Sequence, residues 1–326
     1  MMLYPNLLSR RKALERLSPR ALGLLLAFAA ALISGFSIWV NSYAVREVRD
    51  PAVFTTAKNA MVGAAFVAAL LAARLPARAR PPGRLPAAQI MGLVALGVVG
   101  GSIPFVLFFE GLSQAGPGNG AFIQKTLFIW VAILAVPLLG ERLTLWHLFA
   151  LGMLGAAQWF IGHPAAVTFG RGEAMVFAAT LLWAVEVTVA RRLLPEIGAG
   201  PGAAARMGLG AVVLFGYLAL TGKLDDLAGL TPGQWQWVAG TAAILLVYVS
   251  AWYGALRLAP ATVVTSVLAL GAPITAFLST TASGRPMPTS EQLIGYGLVA
   301  FAVALMAGLA LRSREREALL AGAQPA

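Results

Sequence analysis

Apolar runs of about 20 residues recur ten times along this chain, and each is ended by charge, proline or glycine. A helix of that length crosses a hydrocarbon core of roughly 30 Å. Inside such a core no water meets a free backbone N–H or C=O, so each run must close its hydrogen bonds within itself, as a helix does. The runs cover roughly residues 21–43, 52–73, 87–111, 118–139, 144–162, 172–191, 203–221, 234–256, 260–281 and 291–311. The breaks carry their own chemistry. Pro51 follows the charged stretch Arg46 to Asp50, four arginines and four prolines lie between Arg74 and Pro86, and glycine clusters stand at Gly116–Gly120 and Gly198–Gly202. Tryptophans near span ends (Trp39, Trp146, Trp159, Trp235, Trp237) suit a lipid–water interface. The expected fold is therefore an all-α polytopic membrane protein of ten transmembrane helices.

Composition supports this. Only 11% of residues are charged and 59% are hydrophobic, whereas a soluble domain carries about a quarter charged residues to solvate its surface. The 35 glycines suit close helix packing in lipid. The absence of cysteine excludes disulfides, thiolate metal sites and a cysteine nucleophile.

The net charge of +11 would point to nucleic acid in a soluble protein. Here it lies in short loops, so it reports topology, and the bilayer is the expected partner in place of nucleic acid. With the N-terminus inside, seventeen Lys and Arg fall in inner segments, among them Arg10, Arg11, Lys12, Arg16, Arg20, Arg142, Arg191, Arg192, Arg206, Arg257 and Arg312. Five fall outside: Arg46, Arg49, Arg171, Lys223 and Arg285. This bias places both termini in the cytoplasm of a plasma (inner) membrane protein with an even number of spans. A cleaved signal peptide fits poorly, because the first apolar run is too long and no A-x-A site ends it.

The two halves resemble each other. Gly111-Leu112-Ser113-Gln114-Ala115 parallels Ala255-Leu256-Arg257-Leu258-Ala259, and the same offset aligns Gly140 with Gly284. Ala29-Ala30-Ala31-Leu32 parallels Ala178-Ala179-Thr180-Leu181 at a slightly larger offset, which the arginine-rich loop absorbs. Five spans per half, an odd number, invert the second half relative to the first. The expected division is 1–20 as an N-terminal segment, 21–165 and 170–311 as five-helix repeats, and 312–326 as a tail. Inverted repeats typify secondary transporters, whose substrate lies between the halves near the midplane.

The five-plus-five spans, with the turn Leu139-Gly140-Glu141-Arg142-Leu143-Thr144 and its degenerate counterpart Ser283-Gly284-Arg285-Pro286, resemble the EamA branch of the drug/metabolite transporter superfamily. That resemblance implies a carrier for amino acids, metabolites or drugs, often an exporter, either gradient-coupled or facilitative. Arg285 departs from the family pattern, which usually has Glu there. A second copy of the chain is a candidate partner, and no cofactor is expected.

A charge in mid-membrane needs a partner or a wet cavity. Lys125 with Gln124 in span four, Lys58 with Asn59 in span two, Glu110 in span three and Asn41 in span one lie at similar depth. They are candidates to bind a substrate carboxylate or phosphate; alternatively Glu110 pairs with a lysine and only fixes the helices. Glu186 in span six, one turn from Trp183, is a candidate proton-coupling carboxylate, or else a partner of Arg191 or Arg192. Tyr248 and Trp252 on span eight and Thr265 and Ser266 on span nine are further candidates for an organic ligand. Pro104, Pro137 and Pro273 are expected kinks. His147 and His163 flank span five at opposite ends, so no metal pair forms. With three scattered Asp and two His, the chain is poorly equipped for lipid-transferase chemistry. A channel would need continuous polar faces, which the spans lack.

Overall fold

The computed structural model describes residues 18–73, 85–115, 117–162 and 169–322, with 117–118 and 313–322 as backbone only. Arg10, Arg11, Lys12, Arg16, the arginines from Arg74 to Arg84, Gly116 and His163 lie outside the described residues. Ten helices among the described residues are long and apolar enough to cross a membrane. They are α1 (Pro19–Val48), α2 (Pro51–Ala72), α3 (Ala87–Gln114), α4 (Asn119–Leu139), α5 (Leu145–Gly162), α6 (Arg171–Ile197), α7 (Ala199–Leu220), α8 (Pro232–Leu258), α9 (Ala261–Ser283) and α10 (Ser290–Arg312). The last continues as helix to Gly322.

Local chemistry sets the ends. Ser18 Oγ accepts from the Ala21 N–H at 3.1 Å, and Pro19 follows in the first turn, where a missing N–H costs nothing. Asp50 caps α2 by accepting from the N–H groups of Ala52 and Val53. Thr231 and Gln234 form a capping box on α8. Gly140 and Gly284 close α4 and α9 in the left-handed region, at φ 67° and 62°, a conformation glycine enters without strain. The aligned pair of glycines is thus one local structure used twice.

Helix ends differ from the sequence expectation at α7. That helix restarts at Ala199, directly after Gly198 at φ 88°. Arg206, counted above with the inner charges although it stands near the start of the expected run 203–221, therefore lies well inside the helix, 9% exposed.

The packing is reciprocal. The first helix of each half lies against the third and fourth helices of the other: α1 against α8 and α9, and α6 against α3 and α4. Equivalent helices also pack on each other, α2 with α7, α4 with α9 and α5 with α10. Such reciprocity is what two inverted halves produce when they share one core. Where α3 meets α7, each helix widens into a π turn, Leu96–Gly100 and Ala205–Leu209. A methyl group on Gly101 would stand 2.0 Å from the Arg206 carbonyl oxygen, so only glycine admits this approach.

Candidate functional site

Helices α4 and α9 are both interrupted in mid-span, at equivalent places. In α4 the Thr126 N–H bonds the Ile123 carbonyl three residues back, and in α9 the Leu270 N–H does the same to Val267. The causes differ. Thr126 Oγ1 also donates to the Ile123 carbonyl, which competes with the ordinary helix ladder. In α9, Pro273 has no N–H to give the Ala269 carbonyl, which the Ala272 N–H takes instead. Pro273 is thus a break, as expected. Pro104 occupies the first turn of the segment that resumes after Ser102 leaves the helix, and Pro137 stays within its helix.

A cavity of about 350 Å³ is built around both breaks. Gln124, Lys125 and Phe128 come from α4, and Thr265, Leu268 and Ala269 from α9. Ser34, Gln158 and Tyr296 add hydrogen-bonding groups from α1, α5 and α10. Gln158 is 3% exposed, and among the described residues its Oε1 has no partner. The lining therefore holds a cationic donor and an unused amide acceptor within an otherwise mostly apolar wall. Sequence reading named Lys125, Gln124 and Thr265 here. It missed Gln158, an uncharged polar residue near the end of an apolar run.

A second polar centre is closed. Glu186 is 2% exposed. Its Oε1 lies 3.3 Å from Arg206 Nε and accepts from the Tyr253 hydroxyl at 2.5 Å. A methyl group on Gly100 would fall 2.2 Å from Glu186 Cγ, so the π turn of α3 packs directly onto the carboxylate arm. Glu186 is neither a lone carboxylate nor a partner of the arginines on its own helix. Arg191 instead donates through Nη1 to the carbonyls of Leu256 and Arg257. Those arginines lie five and six residues along α6, off the face of Glu186.

The other candidates scatter. Lys58 turns onto the Phe54 ring, with Nζ 4.6 Å from its centroid, and Asn59 is buried, its Nδ2 without a partner among the described residues. Glu110 pairs with neither lysine among the described residues; it accepts from the Tyr217 hydroxyl at 2.8 Å in a separate pocket near Asp50 and Lys223. Asn41 bonds Ser37. Trp183 is wedged between Phe105 and Phe108, and Trp252 is buried against Tyr248 in the core. Ser266 is fully buried and returns its hydroxyl to the Thr262 carbonyl. None of these groups lines the cavity around Lys125: the aromatic rings pack on other rings, and the Ser266 hydroxyl stays within its own helix.

The ends of the interrupted helices are tied differently on the two faces. On the face where α1 begins, Glu141 accepts from the N–H groups of Ala261 and Thr262 and so caps α9. On the opposite face, Trp39 and Tyr43 of α1 bond the Ser283 hydroxyl at the end of α9. At the turn from α1 to α2, Lys223 Nζ lies 2.7 Å from Asp50 Oδ2. Burial pushes the Asp50 carboxyl up, but Lys223 and the capping N–H groups outweigh it and hold it below its ordinary value. The same bond raises Lys223.

The family described as "EamA-like transporter family" matches residues 21–162 and again 170–308. The uncharacterized transporter YyaM of Bacillus subtilis (strain 168) is 26% identical over 166 residues, covering 49% of this chain and 54% of that protein. The chain thus spans about half the length of this curated relative. A solved crystal structure superposes with a TM-score of 0.70 over 89% of this chain and 99% of its own, at 19% identity. At that identity the likeness concerns the fold alone.

Proposed function

We propose that this chain, which belongs to the EamA-like transporter family, is a secondary carrier that exports a small organic metabolite by alternating access. The class meant is an amino acid, a related metabolite or a drug-like compound. The two inverted repeats, residues 21–165 and 170–311, move against each other, and the segments 1–20 and 312–326 are cytoplasmic ends in the plasma membrane.

The observation that supports this reading is the cavity built around the breaks in α4 and α9. Backbone departs from regular helix at membrane depth only where protein or a cavity covers it. Interrupted helices meeting between inverted halves are how carriers expose polar groups to a substrate. Lys125 supplies a cation for a substrate carboxylate, and the free Gln158 Oε1 accepts from an ammonium or hydroxyl. Both halves line the cavity, so relative motion of the halves changes its access.

The test is solute flux into proteoliposomes holding the purified chain, with a panel of amino acids and other metabolites. Saturable flux that Lys125→Ala lowers at least tenfold, as roughly expected for losing a hydrogen bond to a charged group, supports the reading. Modification of a lipid with no solute movement sinks it. In this reading Glu186 holds the frame in place of carrying protons. Glu186→Gln is expected to leave the pH response of the residual flux unchanged; a flattened response returns Glu186 to the coupling role.

A further inference from the structure

On the face where α1 begins, a larger cavity of about 1080 Å³ opens between the two halves. Five arginines from four chain segments line it: Arg20 at the start of α1, Arg142 in the α4–α5 turn, Arg191 and Arg192 near the end of α6, and Arg312 on α10. His147 adds a further nitrogen base. Among the described residues Glu141 is the one acid in the lining, and both of its oxygens are already engaged by backbone N–H groups of α9. Arg191 is oriented by the Leu256 and Arg257 carbonyls. Among the described residues, Arg142, Arg192 and Arg312 join no hydrogen bond or ion pair through their guanidinium groups.

Loop arginines that only set topology point separately into water. Here segments from both halves converge on one cavity, and their like charges repel each other across it. An anion placed between them relieves that repulsion. Guanidinium groups stay charged at any physiological pH and offer paired N–H donors that match the oxygens of phosphate. Apart from Thr144 and Thr262 the rest of the described wall is apolar, with Leu139, Val263 and Leu309 among its residues. The ligand that fits therefore carries a phosphate on an organic body.

We propose that this cavity binds a phosphate group, with Arg142, Arg192 and Arg312 supplying the free donors. The inference does not rest on the carrier reading. Two sources offer the same chemistry: the headgroup of an anionic phospholipid from the surrounding bilayer, and a soluble phosphate ester.

The test uses the purified full-length chain in a neutral detergent, with binding read by native mass spectrometry and by shifts in unfolding temperature. The probes are phosphatidylglycerol, phosphatidylcholine (whose phosphate is offset by its choline cation) and glycerol phosphate. Preference for phosphatidylglycerol over phosphatidylcholine assigns the lipid source, and saturable binding of glycerol phosphate assigns the soluble one. In either case Arg142→Gln with Arg192→Gln is expected to weaken binding at least tenfold, roughly the loss from removing charge-assisted hydrogen bonds. Arg285→Gln on the opposite face is expected to leave it unchanged. Should the double variant fail to fold, Arg312→Gln alone carries the same comparison. Absence of both preferences, or unchanged affinity in the folded variants, overturns the proposal. Because these readouts are equilibrium binding without flux, they stand or fall apart from transport.

Discussion

Two polar centres lie inside the apolar body of this protein, and they are built in opposite ways. Around Glu186 the carboxylate meets a guanidinium and a phenol, and α3 packs against its arm. Around Lys125 there is open space, and an amide oxygen stands buried and unpartnered. Opposite charges buried together with α3 packed against them fix the helices that carry them, whereas unmet hydrogen-bonding capacity beside an open cavity awaits a ligand. Charge at membrane depth is therefore a poor guide to a binding site until its partners are known.

The sharpest way to break this contrast is to remove one charge from each centre. Glu186→Ala orphans Arg206 and is expected to cost roughly 3–5 kcal/mol, as for one partner of a buried pair; thermal unfolding in detergent measures it. Adding Arg206→Met to that variant is expected to recover part of the loss. Lys125→Ala is expected to change stability by no more than about 0.5 kcal/mol, since a cavity-lining side chain without a partner holds little in place. Equal destabilisation by the two substitutions would erase the distinction.

Glycines next to each centre refine it. Gly100→Ala drives a methyl group into Glu186 and is expected to destabilise by about 1–3 kcal/mol through overpacking. Gly271→Ala lines the Lys125 cavity, and its methyl group would meet nothing closer than Ser34 Oγ at 3.5 Å. That substitution is expected to be near neutral in unfolding temperature while altering solute selectivity in the flux assay.

The smallest effect belongs to a satisfied pair at the water's edge. Asp50 is held below its ordinary value, so its contribution is present at neutral pH. That contribution is lost as pH falls from the ordinary carboxylate range through the folded value. Asp50→Asn keeps an α2 cap and is expected to remove this acid step, worth no more than about 1 kcal/mol for a part-exposed pair. Unfolding temperatures between neutral and acidic pH would reveal it, and an identical acid step in the variant would contradict it.

The ten spans were legible because lipid imposes one length and one polarity on every crossing, and the aligned Gly140 and Gly284 were legible because a left-handed cap leaves few alternatives to glycine. Lys125 could be read from its depth in span four. Arg206, at the edge of the expected seventh run, read as an inner charge, because its burial depends on where α7 begins. The cluster Gly198–Gly202 reads as one turn, whereas Gly198 alone reverses the chain and helix resumes at once. The partner of Glu186 was missed for a related reason: nearby arginines on the same helix compete in sequence but not on the same face. Gln158 carries no charge to mark it. The break at Thr126 arises from one hydroxyl, while its counterpart in α9 is announced by Pro273.

The reciprocal packing of first helices has a consequence for how this protein is made. α1 leaves the ribosome long before α8 and α9, its main neighbours, have been synthesised. It must wait in the bilayer, and its middle, from Ala21 to Val45, carries no charge that would make waiting costly. Glu186 and Arg206 lie on consecutive helices joined by a reversal at Gly198. The α6–α7 hairpin can thus enter as one piece. The helix that waits is free of charge through its middle, and the acid that lipid would reject arrives with its counter-ion on the next helix.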